Sequence, residues 1–206
     1  MGHVAVGAEP VPSVNAAGSR LTAAQDARRR RMLREVSALA AEGGYESVQM
    51  RDVAARADVA IGTLYRYFPS KEYLVASVME AEVGALAADL EARPARGNSA
   101  GERVLAVLGR ANHALLARPN VSIAQIRALV SGNDEVAEVV KTVTDAMRAL
   151  IVAAMEAEPT DESIDVADTL FDVWLAALVG WISGMTEADE VQRKLARTVK
   201  QLLPMS

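Results

Sequence analysis

The chain has no cysteine among its 206 residues, which excludes a disulfide framework and any thiolate metal site and fits a reducing compartment. Its two histidines, His3 and His113, have no paired histidine and carboxylate motif, Walker-type loop or dinucleotide fingerprint to accompany them. Catalysis, a metal site and a cofactor are therefore not expected. Aromatic residues make up 4% of the chain and alternating β-branched runs are few, so strands are not expected either. No apolar run reaches 18 residues, and the first 30 residues lack a basic start followed by an apolar core. Neither a membrane span nor a secretory signal is expected, and a soluble, cytoplasmic protein is.

What is present is an aliphatic core written in helical rhythm. Hydrophobic residues make up 51% of the chain, enough for an all-α fold built on Ala, Leu, Val and Met. Residues 1–19 are small, aperiodic and contain Gly and Pro, and are expected to form a mobile N-terminal arm. A first helix is expected from about Thr22 to Glu42, with Met32, Val36, Leu39 and Ala40 on one face and Gly43-Gly44 ending it. A long helix from Ser70 to about Ala92 carries Leu74, Val75, Val78, Met79, Val83, Leu86 and Leu90 at three- and four-residue spacing. Arg93 to Gly101 reads as a loop. Further helices are expected at roughly 100–117, 120–131, 134–157, 162–185 and 187–203, with breaks at Pro119, Gly132-Asn133 and Pro159.

Residues 47–74 are the most specific stretch, because they read as two short helices joined by a tight turn. The first would turn Val48, Val53, Ala54 and Ala57 inward and leave Gln49, Arg51, Asp52 and Arg56 outside. The turn falls near Asp58, where a left-handed backbone is needed and Asp is among the few non-glycine residues enriched there. The second, Ile61 to Phe68, would bury Leu64 and Phe68 and point Gly62, Thr63, Tyr65, Arg66 and Tyr67 outward. Pro69 stops it and Ser70 caps the next helix. This is the pattern of a helix-turn-helix DNA reader.

The run Val53-Ala54, Ala57-Asp58-Val59, Gly62-Thr63-Leu64-Tyr65, Phe68 and Ser70-Lys71-Glu72 with Leu74 resembles the DNA-binding signature of the TetR family of bacterial transcriptional regulators, over roughly residues 26–80. Asp58 departs from the glycine usual in the turn. Gly44-Tyr45, Val48 to Arg51, Gly62 to Phe68, Asp172 to Leu175 and Trp181 are similar to the KstR-type subgroup, which represses steroid and cholesterol catabolism genes in actinobacteria. The resemblance implies an all-α protein with a three-helix helix-turn-helix DNA-binding domain at 20–73 and a helical effector-binding and dimerisation domain at 74–206. It implies a repressor released from a palindromic double-stranded DNA operator by a hydrophobic small molecule, for this subgroup a steroid or its acyl-CoA derivative. Carried over from the family motif, Arg51, Gly62, Thr63, Tyr65 and Tyr67 face the operator, and Lys71 grips a phosphate. Arg51 suits paired hydrogen bonds to guanine. Arg66 is divided between phosphate and solvent, and Tyr67 between DNA contact and packing on the first helix. A homodimer through the last two helices is also implied, where Leu170 to Met185 is apolar nearly all round and Gly180 and Gly184 would let backbones approach.

Residues 1–73 hold 10 Lys or Arg against 8 Asp or Glu, net +2, while residues 74–206 hold 12 against 19, net −7. A locally basic end is what phosphate attraction needs. Arg28 to Arg31 form its densest cluster, divided between a solvated helix start and phosphate contact. An effector cavity is expected from Met79, Leu115, Leu116, Ile126, Val130, Met147, Ile151, Met155, Trp174 and Leu178, although each equally suits ordinary core. His113 reads as a satisfied core histidine. Arg110, Arg118, Arg127 and Arg148 are open candidates for an effector phosphate. The alternatives to a repressor are an activator or corepressor-dependent regulator, and a dimeric ligand-binding protein that has lost DNA binding.

Overall fold

Thr22 starts the first helix with a reciprocal cap, its hydroxyl accepting from the Gln25 N–H at 3.3 Å while the Gln25 side chain accepts from the Thr22 N–H at 2.8 Å. The computed structural model describes residues 21–155 and 160–205, so the arm expected at 1–19 lies outside the described residues. Helix α1 (Ala23–Ser47) is interrupted where the sequence places its glycine pair: Gly44 sits at φ 70 and ψ −159, a region only glycine occupies readily. There follow α2 (Met50–Arg56), α3 (Ile61–Tyr67), α4 (Lys71–Ala92), α5 (Ala100–Leu116) and α6 (Pro119–Leu129). A 3-10 turn (Asp134–Val136) leads into α7 (Ala137–Ala154), and α8 (Asp161–Ile182) and α9 (Ala188–Leu202) complete the fold. No strand occurs among the described residues, and each helix lies within a few residues of its expected span. The expected end at 157 of the helix from 134 lies outside the described residues.

The first three helices close on Met32, Val36, Val53, Ala54, Leu64 and Phe68, all buried. The arginine cluster takes part in this closure. Arg29 is buried, its guanidinium 2.6 Å from the Glu80 carboxylate of α4 and 5.6 Å from the centre of the Phe68 ring. Arg31 donates to the Ala57 carbonyl at 2.7 Å, and Arg30 pairs with Asp26 at 2.7 Å. Three of the four arginines are therefore joined within the fold.

Helix α6 lies across α1 and α4. Asn120 donates to the Ala41 carbonyl at 3.2 Å, Arg127 pairs with Glu46 at 2.9 Å, and Arg118 pairs with Glu82. Helix α4 runs unbroken through the expected domain boundary at 73/74, burying Leu74, Val75 and Val78. The corner between α8 and α9 gives the same two glycines a role within the chain itself. Gly184 has φ 70, and its N–H reaches Trp181 O at 3.0 Å while Met185 N–H reaches Gly180 O at 2.9 Å, a Schellman cap. A Cβ on Gly180 would meet the Thr186 hydroxyl at 3.0 Å, so this glycine serves the chain's own corner.

Asp58 has φ 50, the one positive φ at a non-glycine residue among the described residues. Its N–H donates to Ala55 O at 3.2 Å and the Val59 N–H to Ala54 O at 3.0 Å, which fixes the angle between α2 and α3. Asp58→Gly is expected to leave stability unchanged or raise it, and Asp58→Val to lower it by about 1–2 kcal/mol, read from denaturant midpoints at unchanged slope.

Candidate nucleic-acid interface and effector cleft

Helix α3 divides its residues sharply. Leu64 and Phe68 seal its inner side, and outside lie Gly62, Tyr65, which is 49% exposed, and Arg66. Thr63 is half-buried beside them. Arg51 is exposed on the first turn of α2, and neither it nor Arg66 enters an ion pair among the described residues. Two exposed guanidiniums, one on α2 and one on α3, and the α3 phenol suit a polyanion. Tyr67 departs from the expected outward position. It is 4% exposed with its ring 6.2 Å from Phe68, because the last turn of α3 carries it back onto the core.

Lys71, half-buried at the start of α4, has its ammonium 4.0 Å from the centre of the Tyr45 ring, and the Arg127 guanidinium lies 4.6 Å from the same centre. Partial burial lowers the Lys71 pKa, since the charged form loses water. The Tyr45 hydroxyl donates to Glu72; burial first, and then this carboxylate, push the phenol above its ordinary range. The same hydrogen bond holds Glu72 below its ordinary value of 4.5, so its contribution to stability is present above that pH and is lost as pH falls through the folded value. One ring thus joins the end of α1, the start of α4 and α6. Sequence periodicity could not find this joint, because Tyr45 and Arg127 are 82 positions apart.

The second half of α4 forms one wall of a cleft of about 530 Å³ with α5 and the start of α6. Leu86, Ala85 and Ala114 make its apolar surface, and Arg93, Arg110 and Arg118 bring cations to it. Arg110 donates to the Arg93 carbonyl at 2.6 Å and to Asp89 at 3.3 Å, which orients it. Of the four arginines open as phosphate partners, Arg110 and Arg118 line this cleft. Arg127 lies at the Tyr45 joint, and Arg148 pairs with Asp168 at 2.5 Å and Asp145 at 3.0 Å. Arg93 and Glu82 were missed by sequence reasoning, since neither breaks a helical pattern.

The expected cavity residues fall elsewhere. Met79, Leu115, Ile126, Met147, Ile151, Trp174 and Leu178 are buried in continuous core, and Leu116 and Met155 are half-buried. Val130 is 54% exposed, because α6 ends at Leu129 and Val130 is its C-cap, turned to solvent. None of these ten lines the α4–α5 cleft, although Leu116 borders a second groove beside Asn112 and Gln192. His113 is exposed and faces the cleft, so it is not a core histidine. Asn112 is the satisfied polar group of α5, accepting from Trp174 Nε1 at 3.4 Å and donating to Gln192 at 3.3 Å. No group of metal-ligating side chains occurs among the described residues.

Residues 34–78 match the family model described as bacterial regulatory proteins, tetR family, and residues 97–202 match a tetracyclin repressor-like C-terminal domain. The chain is 40% identical over 181 residues to the HTH-type transcriptional repressor KstR of Rhodococcus jostii (strain RHA1), spanning 87% of this chain and 84% of that one. It is 37% identical to the repressor of the same name from Mycobacterium tuberculosis, spanning 87% and 82%. A crystal structure of a TetR transcriptional regulator from Rhodococcus sp. RHA1 superposes with a TM-score of 0.78 at 34% identity, covering 87% of this chain and 97% of that one. The fold is also shared, at 15% identity and a TM-score of 0.69, with Thermus thermophilus FadR in complex with lauroyl-CoA, over 84% of this chain and 92% of that one.

Different contacts should fail differently. Lys71→Met is expected to weaken duplex binding alike for all sequences and to reduce the salt slope by about one per subunit. Arg51→Ala is expected to cost about 1–3 kcal/mol and to relax base preference at one position of each half-site. Anisotropy titrations across a salt series check both.

Proposed function

The chain belongs to the TetR family, as a DNA-binding transcriptional repressor with a C-terminal ligand-binding domain, and on that footing we propose that an acyl-CoA thioester, of a steroid acid by analogy with the subgroup, releases it from a palindromic operator. The observation that carries this reading is the span of α4. Lys71 begins it beside the reader, and Glu82, Leu86 and Asp89 of the same helix wall the cleft. Eleven residue steps of helix separate Lys71 from Glu82, about 17 Å. A ligand that moves the cleft wall moves the start of α4 with it.

The chemistry of the cleft supports the thioester. Leu86, Ala85 and Ala114 suit an apolar body, while Arg110 and Arg118 suit phosphate oxygens. The FadR structure with lauroyl-CoA and the Bacillus subtilis FadR structure with stearoyl-CoA carry such ligands on the same fold. The seven buried core residues named above would have to repack to admit a steroid body, so the ligand is proposed to select an opened arrangement. A strong switch requires a preference of about 5 kcal/mol for the non-binding state.

The proposed dimer uses α8 and α9. Leu170, Trp174 and Leu178 face the chain's own core, leaving Leu175, Val179, Trp181 and Ile182 partly open and Met185 exposed at the corner. A helix apolar on two sides is served by a second subunit, and two readers then meet two half-sites about 34–36 Å apart.

The test titrates a steroid acyl-CoA thioester, and the matching free acid, into the protein bound to a palindromic duplex. The thioester is expected to release the duplex and the free acid to do so at least about tenfold less effectively, given the worth of hydrogen bonds to charged groups. Arg110→Ala is expected to erase that difference without changing duplex affinity in the absence of ligand. Equal potency of acid and thioester in the unaltered protein contradicts the phosphate assignment.

A further inference from the structure

Ile61 was not among the outward positions expected of α3, yet it is 41% exposed at the first residue of that helix. Tyr65, one turn on, is the other large apolar side chain left exposed among the described residues of the reader. Spacing of i, i+4 places the two on one face. Val53 and Leu64 are buried and Met50 and Val59 partly buried, so the large apolar side chains exposed on the described part of the reader are this pair, both on α3. Beside Ile61, a Cβ on Gly62 would meet no atom within 4 Å, so the backbone at that point is open to close approach.

The major groove presents one apolar group, the 5-methyl of thymine, alongside its hydrogen-bonding edges. Isoleucine has no polar atom with which to read those edges. Its branched Cβ holds one dominant rotamer in a helix, so it offers a fixed apolar surface with little side-chain freedom to lose on contact. From the exposure of Ile61 and Tyr65 on the open face of α3, we infer that Ile61 is a specificity-determining residue that reads a thymine methyl in each operator half-site. Tyr65 flanks it on the same apolar patch. Arg51 discriminates by hydrogen bonding, and Ile61 discriminates by excluding water from a methyl group that cytosine lacks.

The inference rests on the chain reading an operator, and one experiment separates the two. Selection from random duplex DNA with the full chain yields a half-site, and each thymine in it is replaced in turn by deoxyuridine, which removes only the methyl. At one thymine the unaltered protein is expected to lose about fourfold in affinity per half-site, the worth of one buried methyl group, and about fifteenfold when both half-sites are changed. Ile61→Ala is expected to bind the thymine and uracil duplexes equally well, and Ile61→Val to keep most of the difference. No uracil penalty at any thymine, a half-site without thymine, or an undiminished penalty in Ile61→Ala overturns the inference while operator reading stands. An unaltered protein that enriches no duplex overturns operator reading and the inference with it.

Discussion

The pairing of buried Arg29 with half-buried Glu80 is the interaction on which the arrangement of this protein depends. It ties α1 to α4 at 2.6 Å, with the guanidinium resting near Phe68 at the end of α3. A buried cation without its carboxylate is costly, so the pair sets a strong penalty on any movement that parts α1 from α4. The reader and α4 are thereby joined. Without that constraint, a displacement of α4 at the cleft would be absorbed at the junction and would leave the reader where it was.

The Tyr45 joint adds a second tie on the same body. Lys71 and Arg127 both lie near one ring, and Arg127 belongs to α6, the helix that begins at the cleft with Arg118. Helix α6 is thus fixed to α1 by Arg127 and Asn120, and to α4 by Arg118. Exposed pairs of this kind add little stability singly, and their value here is geometric. They join the helices of the cleft to the reader along α4 and across α6.

Much of this was legible in the sequence where the signal is local. Gly43-Gly44, Asp58, Pro69, Ser70 and Pro119 each impose a backbone preference at their own position, and each stands where the chain turns or a helix ends or begins. The outward face of α3 followed from the same periodicity, except at the ends of the helix. There Tyr67, three residues after Leu64 and next to Phe68, shares their side and returns to the core, while Ile61 emerges at the first residue of the helix. The roles of Arg29 and Arg31 were illegible because their partners, Glu80 and Ala57, are distant in sequence. The cleft was illegible for a further reason. Apolar residues at helical spacing mark what a bundle buries, whereas this cleft is walled by small side chains and arginines between helices.

Arg29 and Glu80 make a claim that can be measured in the intact dimer. The chain has no cysteine, so Ala55→Cys on the exposed side of α2 gives one spin-label position per subunit. Pulsed dipolar spectroscopy across the dimer then reads the spacing of the two readers. A single narrow distance that broadens when Glu80→Gln is introduced, with duplex affinity falling in step, is the result this account predicts. A distance distribution of the same width and centre in Glu80→Gln would contradict it, since the readers would then be held in place by something other than this pair.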